Sequence, residues 1–195
     1  SGRSPLGVYR ELARLHAEDG LSFAGVTTFN LDEYVGLDAA HPRTFRAWMQ
    51  AHFFDHVDLP KDQIHVPPSE LSAGREDAWA ADYERSIAAA GGIDLQVLGL
   101  GRNGHVAFNE PGSARDSRTR LVELAAETRA DAAADFGGLE HTPARALTMG
   151  VATILSARRL RVLAFGAAKR AAVERLCRGP VGADVPASYL REHRD

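Results

Sequence analysis

The residues best suited to moving protons in this chain are an adjacent carboxylate pair, Asp32-Glu33, and a histidine followed by a glutamate, His105 and Glu110. The first pair lies in TTFNLDEYVGL and the second in GLGRNGHVAFNEPG. Asp32 can act as a base, while His105 with Glu110 can handle another proton. Of two adjacent carboxylates usually one faces a site and the other points away, so Asp32 and Glu33 are not automatically an acid/base pair. Asn103 shares the glycine-rich turn with His105. Two further stretches suit an anion. Gly2, Arg3 and Ser4 stand before a helix start at Ser4-Pro5, where free amides and the helix dipole favour negative charge. Lys169 falls in the first turn of another helix, where its charge opposes the dipole unless an anion sits in front. Each feature also has a plain reading: an acidic turn, a capped surface helix, a solvated lysine. Taken together they suit a small phosphorylated metabolite. His52 and His56 lack a third ligand, so no metal is expected, and no dinucleotide fingerprint with its acidic partner appears.

These groups need elements to position them. Residues 93–100 form a mostly apolar, branched run that reads as a buried parallel strand. It opens into Gly99, Gly101 and Gly104, and ligands bind at the carboxyl ends of such strands. Residues 23–29 read as a strand delivering Asp32, and residues 160–165 as one delivering Lys169. Helices are expected from Ser4-Pro5 to Gly20, from His41-Pro42 through Phe53, over 74–90, over 128–138 and from Pro143 onward. Residues 119–124 read as a strand and 185–192 as a last short helix. Strand–helix alternation predicts a three-layer, Rossmann-like α/β sandwich with a mainly parallel sheet.

At 195 residues the chain suits one domain, 1–195. It opens abruptly on a functional-looking loop and has no final strand, so terminal strands are expected to be missing at both ends. Net charge is −3 with no basic run, which argues against nucleic acid. No apolar run is long enough for a membrane span. The single Cys177 fits a reducing, cytoplasmic setting and reads as a buried structural thiol.

TTFNLDEYVGL, GLGRNGHVAFNEPGS with the following SRTR, and FGAAK together resemble the glucosamine-6-phosphate deaminase family, across nearly the whole chain. The resemblance implies a hydrolase of amino-sugar metabolism and N-acetylglucosamine catabolism. It would convert glucosamine 6-phosphate and water to fructose 6-phosphate and ammonia, without a redox cofactor. The expected partner is an amino-sugar phosphate, and a homo-oligomer is allowed. By that resemblance, Asp32 moves a proton from C2 to C1, and His105 and Glu110 open the sugar ring. Asn103 orients His105, and Gly2, Arg3, Ser4 and Lys169 hold the phosphate. Three departures from the family's pattern stand out. Asn103 replaces an Asp, Ala134 takes the place of a second phosphate-binding arginine, and Leu121, Val122 and Glu123 replace basic effector-site residues after Arg120. The alternatives are 6-phosphogluconolactonase, disfavoured by Asn109-Glu110, a galactosamine-6-phosphate deaminase, and a non-catalytic sugar-phosphate sensing domain.

Overall fold

Period-3.6 apolar spacing makes the first helix, α1 (Leu6–Asp19), which stops at Gly20 in the left-handed conformation, φ 74°. The computed structural model describes residues 2 and 4–195. Ser4 does not cap this helix. Pro5 holds the capping position without a side-chain bond, and its carbonyl accepts from Tyr9 N at 3.0 Å.

The strand expected over 23–29 forms only at its end, as β1 (Thr28–Phe29). Phe23 instead packs with Met49, Phe53, Phe54, Leu59 and Val66 in a core of its own. β2 (Asp32–Val35) follows at once, in a stretch whose carboxylates read as a turn. α2 (Phe45–His52) starts later than His41-Pro42, because Thr44 is its cap: the hydroxyl accepts from Ala47 N at 3.1 Å. β3 (Ile64–His65) pairs parallel with β1, matching Thr28 with Ile64. α3 (Glu76–Ala89) leads into β4 (Leu95–Gly99), as its spacing predicts.

Beyond the glycine-rich loop come β5 (Arg120–Glu123) and α4 (Ala126–Phe136). No helix begins at Pro143. Residues Arg145–Thr148 are a strand, β6, which lies between β2 and β5 and is antiparallel to both. Pairing on both edges outweighs the helical preference of Ala146 and Leu147. A short helix, α5 (Val151–Leu155), then packs into the core. β7 (Arg159–Leu163) pairs parallel with β4, and α6 (Arg170–Arg178) follows a 3-10 turn over Ala167–Lys169. Cys177, expected to be buried, is exposed on α6. The fold is therefore α/β with parallel pairs as expected, joined by a three-stranded antiparallel sheet that the alternation of elements did not announce. No described helix is long and apolar enough to cross a membrane.

A central core of Leu98, Leu100, Val106, Met149, Ile154, Leu160 and Ala187 packs beneath α3 through Tyr83 and Ile87. A cavity of about 530 Å³ lies between β1 and β4, and Gln96, buried beside it, has no partner for Oε1 among the described residues. Leu98 is fully buried on β4. Leu98→Ala should remove about 2–5 kcal/mol of unfolding free energy, read by urea denaturation. A much smaller loss would mean the β4 core is loosely packed.

Candidate active site

β2 and β6 bring Asp32 to the carboxyl end of the central strands. Asp32 opens β2 opposite Thr148, and Met149 N reaches back to Leu31 O at 2.7 Å. Tyr83 steadies the approach, donating its hydroxyl to Asn30 O at 2.7 Å. Asp32 is 8% exposed. Burial pushes its carboxyl up to about 6, against the pull of His105 nearby. Glu33 points the other way, as alternation along a strand requires.

The loop after β4 builds the second group. Gly101 N donates to His105 O at 2.9 Å, and Gly104, at φ +91°, turns the chain. A Cβ on Gly101 would sit 2.4 Å from the His105 ring, so only glycine lets the imidazole lie there. Asn103 Oδ1 accepts the backbone N–H of His105 at 3.0 Å, and its Nδ2 donates to Glu110 Oε2 at 2.7 Å. The imidazole Nδ1 lies 3.2 Å from the same Glu110 Oε2. Asn103 thus holds His105 by its backbone N–H and not by its ring. It orients Glu110 and the loop backbone, and the carboxylate behind the His105 ring is Glu110. A proton on Nδ1 shared with Glu110 leaves Nε2 free for chemistry.

Three residues that sequence spacing missed complete this cluster. Thr128, on α4, places Oγ1 3.3 Å from His105 Nδ1. Arg102 pairs with Asp131, its Nε 2.9 Å from Oδ2, and so ties α4 to the loop. Arg175, on α6, donates to Asn103 O at 3.3 Å. Glu110 is half-buried, which alone would raise its carboxyl. Hydrogen bonds from His105, Thr128 and Asn103, with the His105 charge, instead hold it down at about 2. Asn109 is fully buried and anchors the loop to β6, donating to Met149 O at 2.8 Å and accepting from Arg120 at 3.0 Å.

The candidate anion sites lie at two helix starts. Lys169 caps α6, and its charge reaches Asp131, whose carboxyl is lowered chiefly by Arg102. Gly2, at φ +87°, and Ser4 precede α1, while Arg3 lies outside the described residues. Ala134 is exposed on α4.

An acid–base cluster at the carboxyl ends of α/β strands marks an enzyme-like site. The family described as glucosamine-6-phosphate isomerases/6-phosphogluconolactonase matches residues 1–195, and the chain belongs to it. The glucosamine-6-phosphate deaminase of Bacillus velezensis is 45% identical over 195 residues, covering 100% of this chain and 80% of the relative. That of Rhodopirellula baltica is 48% identical over 193 residues, covering 99% and 76%. A solved monomeric glucosamine-6-phosphate deaminase superposes with a TM-score of 0.95 at 42% identity, covering 100% of this chain and 80% of that one. The 6-phosphogluconolactonase of Thermotoga maritima shares the fold, with a TM-score of 0.70 at 21% identity over 97% of this chain and 77% of that one. These names correct the expected hydrolase class: the close relatives are deaminases in a family of isomerases.

The contact between Asn103 and Glu110 is testable. Asn103→Asp sets a second carboxylate against Glu110 Oε2, and like charges disfavour ionisation. The Glu110 carboxyl should rise from about 2. A depressed carboxyl contributes stability above its ordinary value of 4.5 and loses it as pH falls through about 2. The variant should therefore lose thermal stability at a higher pH than the wild type. Identical Tm-against-pH curves would show that this hydrogen bond does not hold Glu110.

Proposed function

We infer that this chain is an amino-sugar-phosphate isomerase-deaminase, taking glucosamine 6-phosphate and water to fructose 6-phosphate and ammonia. The observation that carries this reading is the pairing of two proton-handling groups of opposite character. Asp32 is buried and raised to about 6, while Glu110, 3.2 Å from the His105 ring, is held down at about 2. A base near neutrality can take and return a proton efficiently. His105, steadied by Glu110, gives a proton to the ring oxygen as the C1–O bond breaks, and the C1 hydroxyl proton passes to solvent as the open-chain aldehyde forms. Asp32 then removes the C2 proton, forming an enolamine, and returns it to C1. The resulting C2 imine takes up water and releases ammonia. The close relatives named as deaminases support this assignment over a lactonase, and the intact acid–base set supports it over a sensor.

Residues 1–195 form one sugar-phosphate isomerase/deaminase domain on this reading. Lys169 with Gly2, Arg3 and Ser4 holds the phosphate, with Ala134 contributing no charge. One chain supplies every acid–base group, and the solved relative at 42% identity is monomeric, so a homo-oligomer is not required. The lone exposed Cys177 suits a cytoplasmic location.

The enzyme should release ammonia from glucosamine 6-phosphate and not from glucosamine, in a coupled assay. Equal rates on the two sugars would remove the phosphate from the assignment. Lys169→Ala should mainly raise KM, since a remote phosphate contact is largely uniform binding. Asp32→Asn keeps the shape without the base, so turnover should fall at least about 10²-fold. Solvent exchange of the C2 hydrogen should fall in parallel, and exchange persisting at the wild-type rate would take the base role away from Asp32.

A further inference from the structure

Glu33 lies next to Asp32 and has no part in the proton transfers just described. It is fully buried, which for a carboxylate demands partners. Its partners are all backbone. Oε1 accepts from Tyr34 N at 2.9 Å and Phe45 N at 2.8 Å, and Oε2 accepts from Arg46 N at 2.9 Å. Phe45 and Arg46 are the first two residues of α2, whose amides have no partner inside the helix. Thr44 satisfies the next amide, Ala47 N. One carboxylate thus occupies both open amides of α2 and bonds the strand that carries Asp32.

We propose that Glu33 is a positioning residue: its ionised carboxylate ties β2 to the N-terminus of α2 and so holds Asp32 in its working direction. The inference rests on Asp32 as the base. An ionised carboxylate accepts all three N–H groups, whereas a protonated one presents an O–H to a wall of donors and must give up a bond. Burial pushes Glu33 up to about 7, against the three backbone bonds. The tie therefore loosens when pH falls below neutrality, a little above the range in which Asp32 itself takes a proton. The titratable neighbours are few. Asp32 and Tyr34 flank Glu33 on β2, and the Arg46 side chain turns away to Val66 O at 3.3 Å. Tyr9, Tyr83 and His105 face Asp32, with Tyr9 pushed up to about 12.

The test is the steepness of the acid limb of turnover. In the wild type two groups, Glu33 and Asp32, must be ionised, so log kcat/KM should fall with a slope one unit steeper than in Glu33→Gln. The substrate phosphate titrates alike in both proteins and cancels from the comparison. Glu33→Gln should also lower the plateau kcat about tenfold or more, with KM nearly unchanged. Thr44→Ala, which removes the neighbouring cap, should lower Tm and leave the limb as it is. Equal slopes in wild type and folded Glu33→Gln would overturn the proposal. If Glu33→Gln does not fold, Glu33→Asp decides. It keeps the charge on a shorter stem, so the steep limb should remain while kcat falls, and wild-type kcat would overturn the proposal. Asp32→Asn with undiminished C2-hydrogen exchange would instead sink the underlying base assignment.

Discussion

The carboxyl end of β6 is the joint on which the site depends. Thr148 and Met149 are both fully buried there. Met149 N bonds Leu31 O, which sets where β2 begins and therefore where Asp32 stands. Met149 O accepts from Asn109, and Thr148 Oγ1 accepts from Phe108 N at 3.1 Å, which sets the far end of the His105 loop. One strand end thus holds the base on one side and the His105–Glu110 pair on the other. Losing such a bond leaves a buried group unsatisfied, at about 1–3 kcal/mol, and also separates the two halves of the chemistry.

Electrostatics divides the work between those halves. Both carboxylates are removed from bulk water, yet they move in opposite directions. Asp32 meets burial with little hydrogen bonding and rises, whereas Glu110 meets three side-chain donors and falls. Environments that drive two acids apart are how one site offers a ready base beside a fixed anion. Replacement of a carboxylate by Asn103 is compatible with this arrangement, because the countercharge to His105 comes from Glu110.

The parts legible in the sequence were those governed by local pattern. The apolar run ending in Gly99 and Gly101 reads as a strand opening into a turn, and it is one, although only Gln96 and Leu98 of β4 are buried; the turn brings His105 and Glu110 together. Sequence missed what depends on distant partners. Asp32 and Glu33 are poor strand formers, and β2 exists because β6 pairs with it along its length. Ala146 and Leu147 favour a helix and are held extended by strands on both edges. Thr128 belongs to a helix far along the chain, and nothing in its neighbours announces the imidazole it meets. Atom-level roles were hidden for a similar reason. Whether Asn103 touches the ring or the backbone depends on how the glycines turn, and an identity at one position does not contain that.

Between His105 and Glu110 sits Ala107 at φ 51°, the left-handed region, where it is the only non-glycine residue among those described. An L side chain there is held against its preference, and the surrounding loop bonds enforce it. The consequence is a narrow evolutionary corridor. Glycine would relax the turn, and asparagine or aspartate tolerates this conformation better than most residues. Valine, isoleucine and threonine would each carry a branched Cβ into a conformation that already strains alanine. A residue with no polar atom in its side chain is thus open to few replacements, for a reason written in its backbone.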